Sequence, residues 1–171
     1  MFIPKYKVLL KTIRYLVIFG ICSSIHLVYA LDNTSIEFGM DLFLNKANCQ
    51  SCHGWSGDGR KTDNQMPDGA NLRESALDRD MVVTAIKCGR PGNNMPAFDR
   101  LAYSDGRCYG LLKSQMSATP MPDPPATLQN REIEAIVDFL FAKVIKQGKM
   151  NQEKCVQFWG GNPPLCGLIT Q

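Results

Sequence analysis

Histidine is scarce in this sequence of 171 residues, where His26 and His53 are the only two. Long apolar runs are scarce as well, and the 44% of hydrophobic and 20% of charged residues are ordinary proportions for a globular protein. These proportions exclude a disordered tail, a collagen-like fibre and a multi-pass membrane protein. The sequence also lacks internal repeats and any strand-like alternation of useful length, which predicts a mainly α-helical chain with long loops.

Acidic residues are absent from residues 1–30, which hold four of the 19 basic residues. The remaining 15 basic residues stand against 16 acidic ones, so the rest of the chain carries a net charge of −1 with histidine neutral. A protein that binds nucleic acid needs a basic surface. We therefore expect no nucleic acid among the partners of this protein.

The first thirty residues have the layout of a secretory signal peptide. A basic segment that ends at Arg14 precedes a mostly apolar run, and Val28 and Ala30 occupy the −3 and −1 positions of a cleavage site after Ala30. The alternative is an uncleaved membrane anchor, but the run is shorter than the roughly 20 apolar residues of a membrane span. We expect residues 1–30 to be removed and residues 31–171 to form a single periplasmic domain without a stable membrane anchor.

Cysteine is abundant, with seven residues in the chain. Cys49 and Cys52 belong to the sequence Cys-Gln-Ser-Cys-His that ends at His53, and Cys-x-x-Cys-His is the attachment signature of a c-type haem. On one helical turn, two thiols at this spacing can form thioethers with both vinyl groups of the porphyrin, while the adjacent imidazole lies beneath the iron as its proximal ligand. The motif predicts one covalently bound haem c, with its iron, held by Cys49, Cys52 and His53.

Other interpretations of the cysteine pair are a thioredoxin-like redox site, a structural zinc site and a chance match. A thioredoxin-like pair lies near a βαβ pattern, which the surrounding sequence lacks. A structural zinc site needs four nitrogen or sulfur ligands, and no second close pair of cysteines accompanies the one histidine after residue 30. Haem attachment is the favoured interpretation.

Residues 49–59 resemble the haem-binding segment of class I (mitochondrial-type) c-type cytochromes, in particular of exported bacterial members. The resemblance covers roughly residues 35–98 and 128–145. It implies a cytochrome c-like fold of three to five helices wrapped around one covalently attached haem. An insertion at residues 99–127 and a C-terminal extension at residues 148–171 go beyond the minimal family pattern and suggest a specialised subfamily.

Hydrophobic periodicity and capping residues predict helices over Asn33–Asn45, Asp78–Cys88 and Gln129–Lys146. Met40 and Met81 fit the apolar stripes of the first two, which favours packing in the core. Gly39 and Phe43 look like the family's pair that packs against the C-terminal helix, where Phe139 occupies the place of the family's aromatic residue. The segment Pro67–Leu72 is similar to the loop that covers the proximal histidine, in which a backbone carbonyl commonly accepts the second N–H of that histidine.

The residue on the other side of the iron is expected to be a methionine, because only one histidine follows residue 30. Methionine raises the reduction potential relative to a second nitrogen ligand. Met95 lies in the sequence Gly-Asn-Asn-Met-Pro-Ala-Phe, which closely resembles the family's distal-ligand loop. Met121 is the alternative, since it lies seven residues before Leu128, a spacing that also occurs in the family. We favour Met95, and a five-coordinate iron remains a further possibility.

Four cysteines remain when the motif and residues 1–30, which contain Cys22, are set aside: Cys88, Cys108, Cys155 and Cys166. They allow three pairings. Proximity in the sequence favours Cys88 with Cys108 and Cys155 with Cys166. The first bridge would tie the insertion to the end of the middle helix, and the second would close the C-terminal extension.

The leading functional hypothesis is a periplasmic electron carrier that is not itself an enzyme. The donor would be a periplasmic dehydrogenase, for example a quinoprotein alcohol dehydrogenase, and the acceptor another cytochrome or a terminal oxidase. Alternatives are a haem subunit of a larger oxidoreductase complex and a five-coordinate haem protein that binds or senses a ligand.

Overall fold

A computed structural model describes residues 33–118 and 121–169, and the expected signal peptide at residues 1–30 lies outside these ranges. In the described part, α1 covers residues 33–41, α2 Gln50–His53, α3 Arg79–Cys88, α4 Asn130–Lys143 and α5 Gln152–Trp159. A π-helical turn, Leu42–Lys46, continues α1. Short 3-10 helices follow at Leu72–Glu74, Lys113–Ala118 and Pro164–Leu168.

The described residues form helices and loops, and their only β-type pairings are two isolated bridges, Arg90 with Met95 and Cys108 with Leu111. The prediction of a mainly α-helical, cytochrome c-like fold with long loops is therefore confirmed. Residues from Ile36 onward belong to one compact unit. None of the described helices combines the length and the apolar character that are needed to cross a membrane.

The two long helices begin where the sequence predicts, because each has a side-chain cap. The Asp78 carboxylate accepts a hydrogen bond from the Met81 N–H at 2.8 Å, and Gln129 and Glu132 form a capping box at the start of α4. Helix α4 ends at Lys143, three residues before the predicted end at Lys146. Val144 and the next residue leave the helix but stay buried, so their apolar character reflects the core and not helical periodicity.

Helices α1 and α4 cross at a glycine, as the resemblance implies. A Cβ atom on Gly39 would overlap the Ala135 carbonyl oxygen, so only glycine permits this approach of the two backbones. The rings of Phe43 and Phe139 lie 5.5 Å apart and are both buried. The main core that surrounds them connects α1, α3 and α4 and reaches α5.

Two further features differ from the sequence-based expectations. Met81 is 55% exposed rather than buried, because the buried face of α3 is formed by Val82 and by residues 85, 86 and 88. Helix α5 was not predicted, although Asn151 caps its start by accepting the Lys154 N–H at 2.9 Å and Gly160 ends it in a left-handed conformation. Both signals are visible in the sequence, but the helix spans only eight residues.

In the described part of the chain, the four cysteines outside the motif lie in two disulfide pairs. Cys88 at the end of α3 pairs with Cys108, with their Cα atoms 5.3 Å apart. Cys155 in α5 pairs with Cys166, with a Cα–Cα distance of 5.5 Å. These pairs are the ones that proximity in the sequence favours.

Candidate haem-binding site

The Cys-x-x-Cys-His motif forms a single helical turn. Cys49 precedes α2, and its carbonyl oxygen accepts the N–H groups of Cys52 at 3.3 Å and His53 at 2.9 Å. Both thiols and the imidazole therefore project from one turn of backbone, as attachment of a haem through two thioethers requires. Among the described cysteines, Cys49 and Cys52 are the two that form no disulfide, although only two residues separate them.

The partly buried Cys49 packs against the main core. Burial raises the pKa of the Cys49 thiol to about 12, a backbone hydrogen bond opposes the rise, and the charge of Cys52 adds to it. A structural zinc site needs four nitrogen or sulfur ligands. No group of three or more histidine, cysteine, aspartate or glutamate side chains in the described ranges is arranged to hold a metal ion. The donors at this turn fit haem attachment better than a structural zinc site.

The orientation of His53 is fixed by a backbone carbonyl. Its Nδ1 lies 2.8 Å from the carbonyl oxygen of Ala70, and since a carbonyl can only accept, the bond assigns the proton to Nδ1. The Nε2 lone pair is then available to a metal. Ala70 lies inside the predicted covering loop, Pro67–Leu72. The sequence could not identify this residue because the partner is a backbone atom.

The covering loop approaches the histidine closely at Gly69. A Cβ atom there would lie 2.6 Å from the Cys52 carbonyl oxygen and 2.8 Å from the His53 Nδ1, so any larger residue would displace the motif or the loop. Burial lowers the pKa of His53, the bond to Ala70 works against this, and the positive charge of Arg90 adds to the lowering. The neutral imidazole, which is the form that binds a metal, is favoured.

The two candidate distal methionines lie in different environments. Met95 is half-buried and packs against the main core, which Cys49 also contacts. Its carbonyl accepts the Arg90 N–H at 3.0 Å, and this bond closes the loop that carries Met95. Arg90 is also the residue whose charge lowers the pKa of His53. Met121 packs instead against a separate small cluster around Cys88.

The remaining described methionines fall into three groups. Met40 and Met150 pack against the main core, and Met116 packs against the small cluster. Met66 and Met81 are exposed. Four methionines thus differ from Met95 because they are exposed or pack against the small cluster and not the main core: Met66, Met81, Met116 and Met121.

An aromatic cluster lies next to the motif, and it was not predicted from the sequence. Trp55, two residues after His53, stacks on Trp159 with ring centroids 5.6 Å apart and an angle of 28° between the planes. Trp55 also contacts Phe158 edge-on at 5.3 Å. The C-terminal extension therefore packs directly against the segment that follows the motif. Its signal in the sequence was the pair of adjacent aromatic residues at 158 and 159, three residues after Cys155.

A buried arginine joins the same two segments. The Arg73 side chain is 2% exposed, and it donates to the carbonyl oxygens of Gly148 at 2.5 Å and Ser56 at 3.3 Å. Removal from water lowers the pKa of Arg73, an effect that the charge of Asp58 opposes. Its hydrogen bonds fix the loop after the motif to the chain just before α5.

Comparison with known proteins agrees with this site. Residues 39–113 match the family model described as cytochrome C oxidase, cbb3-type, subunit III. Searches of curated proteins and of solved structures gave no match. The matched segment contains Cys49, Cys52, His53 and Met95, whereas Met121 lies outside it.

The motif, its geometry and this match support a c-type cytochrome domain in this part of the chain. Such a domain implies covalently bound haem c with its iron and a haem-based role in electron transfer. It further implies redox proteins as partners, and a function as an electron carrier or as part of an oxidase.

Proposed function

We propose that this protein is an exported, periplasmic one-electron carrier with a single haem c. Cys49 and Cys52 provide the thioethers, His53 is the proximal ligand and Met95 the distal ligand. The observation that carries the proposal is the single helical turn with two unpaired thiols and an imidazole whose Nδ1 is held by Ala70 at 2.8 Å. When bound, the haem iron alternates between the ferrous and ferric states and so carries one electron.

The surrounding residues provide what such a carrier requires. Ala70 and Gly69 hold the imidazole in one orientation, which preserves the ligand geometry when the charge on the iron changes. The main core, in which Phe43 and Phe139 are buried, gives Cys49 an apolar surrounding. A low-dielectric surrounding and a thioether ligand both tune the reduction potential.

Met95 is favoured as the distal ligand by three observations. It packs against the core that also contacts Cys49, whereas Met121 belongs to the cluster around Cys88. Its loop is closed by Arg90, whose charge reaches His53. It also lies within the segment that matches the family model.

Haem attachment is tested by extraction of the denatured protein with acidic acetone. Haem should remain with the wild-type polypeptide, and replacement of both Cys49 and Cys52 by alanine should abolish stable incorporation. Replacement of the disulfide pair Cys155 and Cys166 by alanine is the matched control, and haem should remain attached. Free extraction of haem from the wild type would contradict the proposal.

Ligation is tested by the weak charge-transfer band that a thioether sulfur gives with ferric iron near the red end of the visible spectrum. Met95→Ala should remove the band, and Met121→Ala should leave it. The reverse result transfers the ligand to Met121. A wild type that lacks the band and binds carbon monoxide at once when reduced would instead indicate the five-coordinate, ligand-binding alternative.

The proposed domain organisation follows from the same reading. Residues 1–30 are a cleaved signal peptide, residues 31–171 form the cytochrome domain, and residues 99–127 and 148–171 are additions to its minimal pattern. The proposed donor is a periplasmic dehydrogenase, such as a quinoprotein alcohol dehydrogenase, and the acceptor is another cytochrome or a terminal oxidase. Stopped-flow reduction by the purified dehydrogenase tests the donor, and a rate no faster than that with an unrelated dehydrogenase contradicts it.

A second candidate is a haem subunit of a larger oxidoreductase complex. The description of the matching family, an oxidase subunit, favours it. Purification of the protein at native abundance separates the two functions. A carrier should elute alone at the size of the mature chain, and a subunit should elute with other chains in a fixed ratio.

A further inference from the structure

Two tyrosines of the insertion bind consecutive carbonyl groups at the end of α3. The buried Tyr103 hydroxyl donates to the carbonyl oxygen of Cys88 at 2.5 Å, and the Tyr109 hydroxyl donates to that of Gly89 at 2.9 Å. The disulfide from Cys88 to Cys108 joins the same two segments. The last residue of α3 and the residue after it are therefore fastened to the insertion by one covalent bond and two hydrogen bonds.

Both tyrosines make these hydrogen bonds while their backbones adopt an unfavourable conformation. Tyr103 has φ of 61° and Tyr109 has φ of 56°, in the left-handed region that bulky residues rarely adopt. Such conformations persist where surrounding contacts compensate for them, and they are concentrated at functional sites. The Lys113 N–H donates to the Tyr103 carbonyl at 2.9 Å, which is one such contact.

Gly89 connects this disulfide and these hydrogen bonds to the Met95 loop. A Cβ atom on Gly89 would lie 2.5 Å from the Met95 carbonyl oxygen and 2.7 Å from the carbonyl carbon of Pro96, so these backbones are in direct contact. The Arg90 N–H also donates to the Met95 carbonyl at 3.0 Å. A shift of the Gly89 carbonyl therefore moves the backbone that carries the Met95 side chain.

The insertion also packs against the exit of this loop. Ala97 and Met121 contact the small cluster formed by Cys88, Tyr103 and Cys108. The entry to the Met95 loop is thus held by hydrogen bonds and its exit by apolar packing, both from the same insertion.

We propose that Tyr103 and Tyr109 are positioning residues that keep the Met95 loop closed and so slow the release of Met95 from the iron. This inference rests on the proposed distal ligand. The insertion would thereby keep external ligands away from the iron.

The experiment measures the rate at which imidazole at saturating concentration binds to the ferric protein, because the loop must open before imidazole can replace Met95. Tyr103→Phe should raise this rate about tenfold and Tyr109→Phe about threefold, since the first leaves a buried carbonyl unpaired. The charge-transfer band without imidazole should persist in both. Ser104→Ala is the matched control: it removes a bond at 2.7 Å to the Leu101 carbonyl in the same insertion, and the rate should stay within twofold of wild type.

The outcomes separate this inference from the ligand assignment. Loss of the band in Met95→Ala together with wild-type rates in the tyrosine variants would overturn the inference alone. Retention of the band in Met95→Ala would overturn both. Tyr109 is 50% exposed, so Tyr109→Phe decides the question even if Tyr103→Phe does not fold.

Discussion

One disulfide ties the insertion to α3 and another closes the C-terminal extension, yet the two segments join the rest of the protein in different ways. The insertion has its own small cluster, centred on Cys88, Tyr103 and Cys108, and reaches α3 through hydrogen bonds. The extension instead places Phe158 in the main core, 5.6 Å from Phe139. The extension therefore belongs to the structural core, whereas the insertion controls one loop, the one that carries Met95.

The largest effect is expected from Phe158→Ala, which removes a side chain that is 4% exposed in the main core. Loss of a buried phenylalanine costs about 3–5 kcal/mol. Denaturant unfolding measures the change, and Leu168→Ala is the control within the extension because Leu168 is 81% exposed. A loss below about 1 kcal/mol for Phe158→Ala would mean that the extension is not part of the core.

The two disulfides allow the insertion and the extension to be compared directly. Their removal should cost similar stability but affect different properties. With sequence separations of 20 and 11, serine replacement of either pair should lower the free energy of unfolding by about 3 kcal/mol or less. Replacement of Cys88 and Cys108 should also weaken the charge-transfer band, whereas replacement of Cys155 and Cys166 should leave it unchanged.

Peptide mapping without reduction determines the pairing directly. A crosslink between Cys88 and either Cys155 or Cys166 would contradict this picture. It would connect the extension to the Met95 loop and remove the distinction between the two segments.

A smaller effect is expected at the stack of Trp55 and Trp159. An aromatic pair contributes about 0.5–1.5 kcal/mol beyond its buried area. Trp159→Leu should therefore lower the free energy of unfolding by an amount of that order. The charge-transfer band should persist, because Trp55 follows the motif and is not part of the Met95 loop. Trp159→Phe keeps an aromatic ring and should lose less. Equal losses in the two variants would show that ring stacking is unimportant.

The smallest effect is expected from the charges of the insertion. Hydrogen bonds from Arg107 lower the pKa of Asp105 to about 2. Because the folded-state pKa lies below the usual 3.8, the contribution to stability is present above about pH 3.8 and is lost as the pH falls through about 2. An NMR titration should give this pKa, and Arg107→Gln should return it towards 3.8. An unchanged pKa in Arg107→Gln would contradict the assigned cause.

The sequence predicted those features that depend on local spacing. The motif at Cys49, Cys52 and His53 lies within one turn, and the long helices α3 and α4 have clear periodicity and capping residues. The crossing at Gly39 followed from the family resemblance. The motif and the two helices are features that neighbouring residues determine, whereas the crossing is a tertiary contact that only the resemblance indicated.

Other features could not be read from the sequence because they depend on tertiary contacts. The partner of His53 is the Ala70 carbonyl, and a backbone atom leaves no signal in the sequence. The tyrosine bonds to α3 depend on left-handed conformations that tyrosine rarely adopts. Met81 fits the apolar periodicity of α3, but within the described residues no element covers it.

The most direct test of the central claim is a potentiometric titration of the purified protein beside its Met95→Ala and Met121→Ala variants. The account predicts one reversible one-electron transition from one haem per chain. The reduction potential should fall in Met95→Ala, because the thioether ligand is lost, and should stay at the wild-type value in Met121→Ala. A fall in Met121→Ala with an unchanged Met95→Ala, or the absence of a reversible one-electron transition in the wild type, would contradict the account.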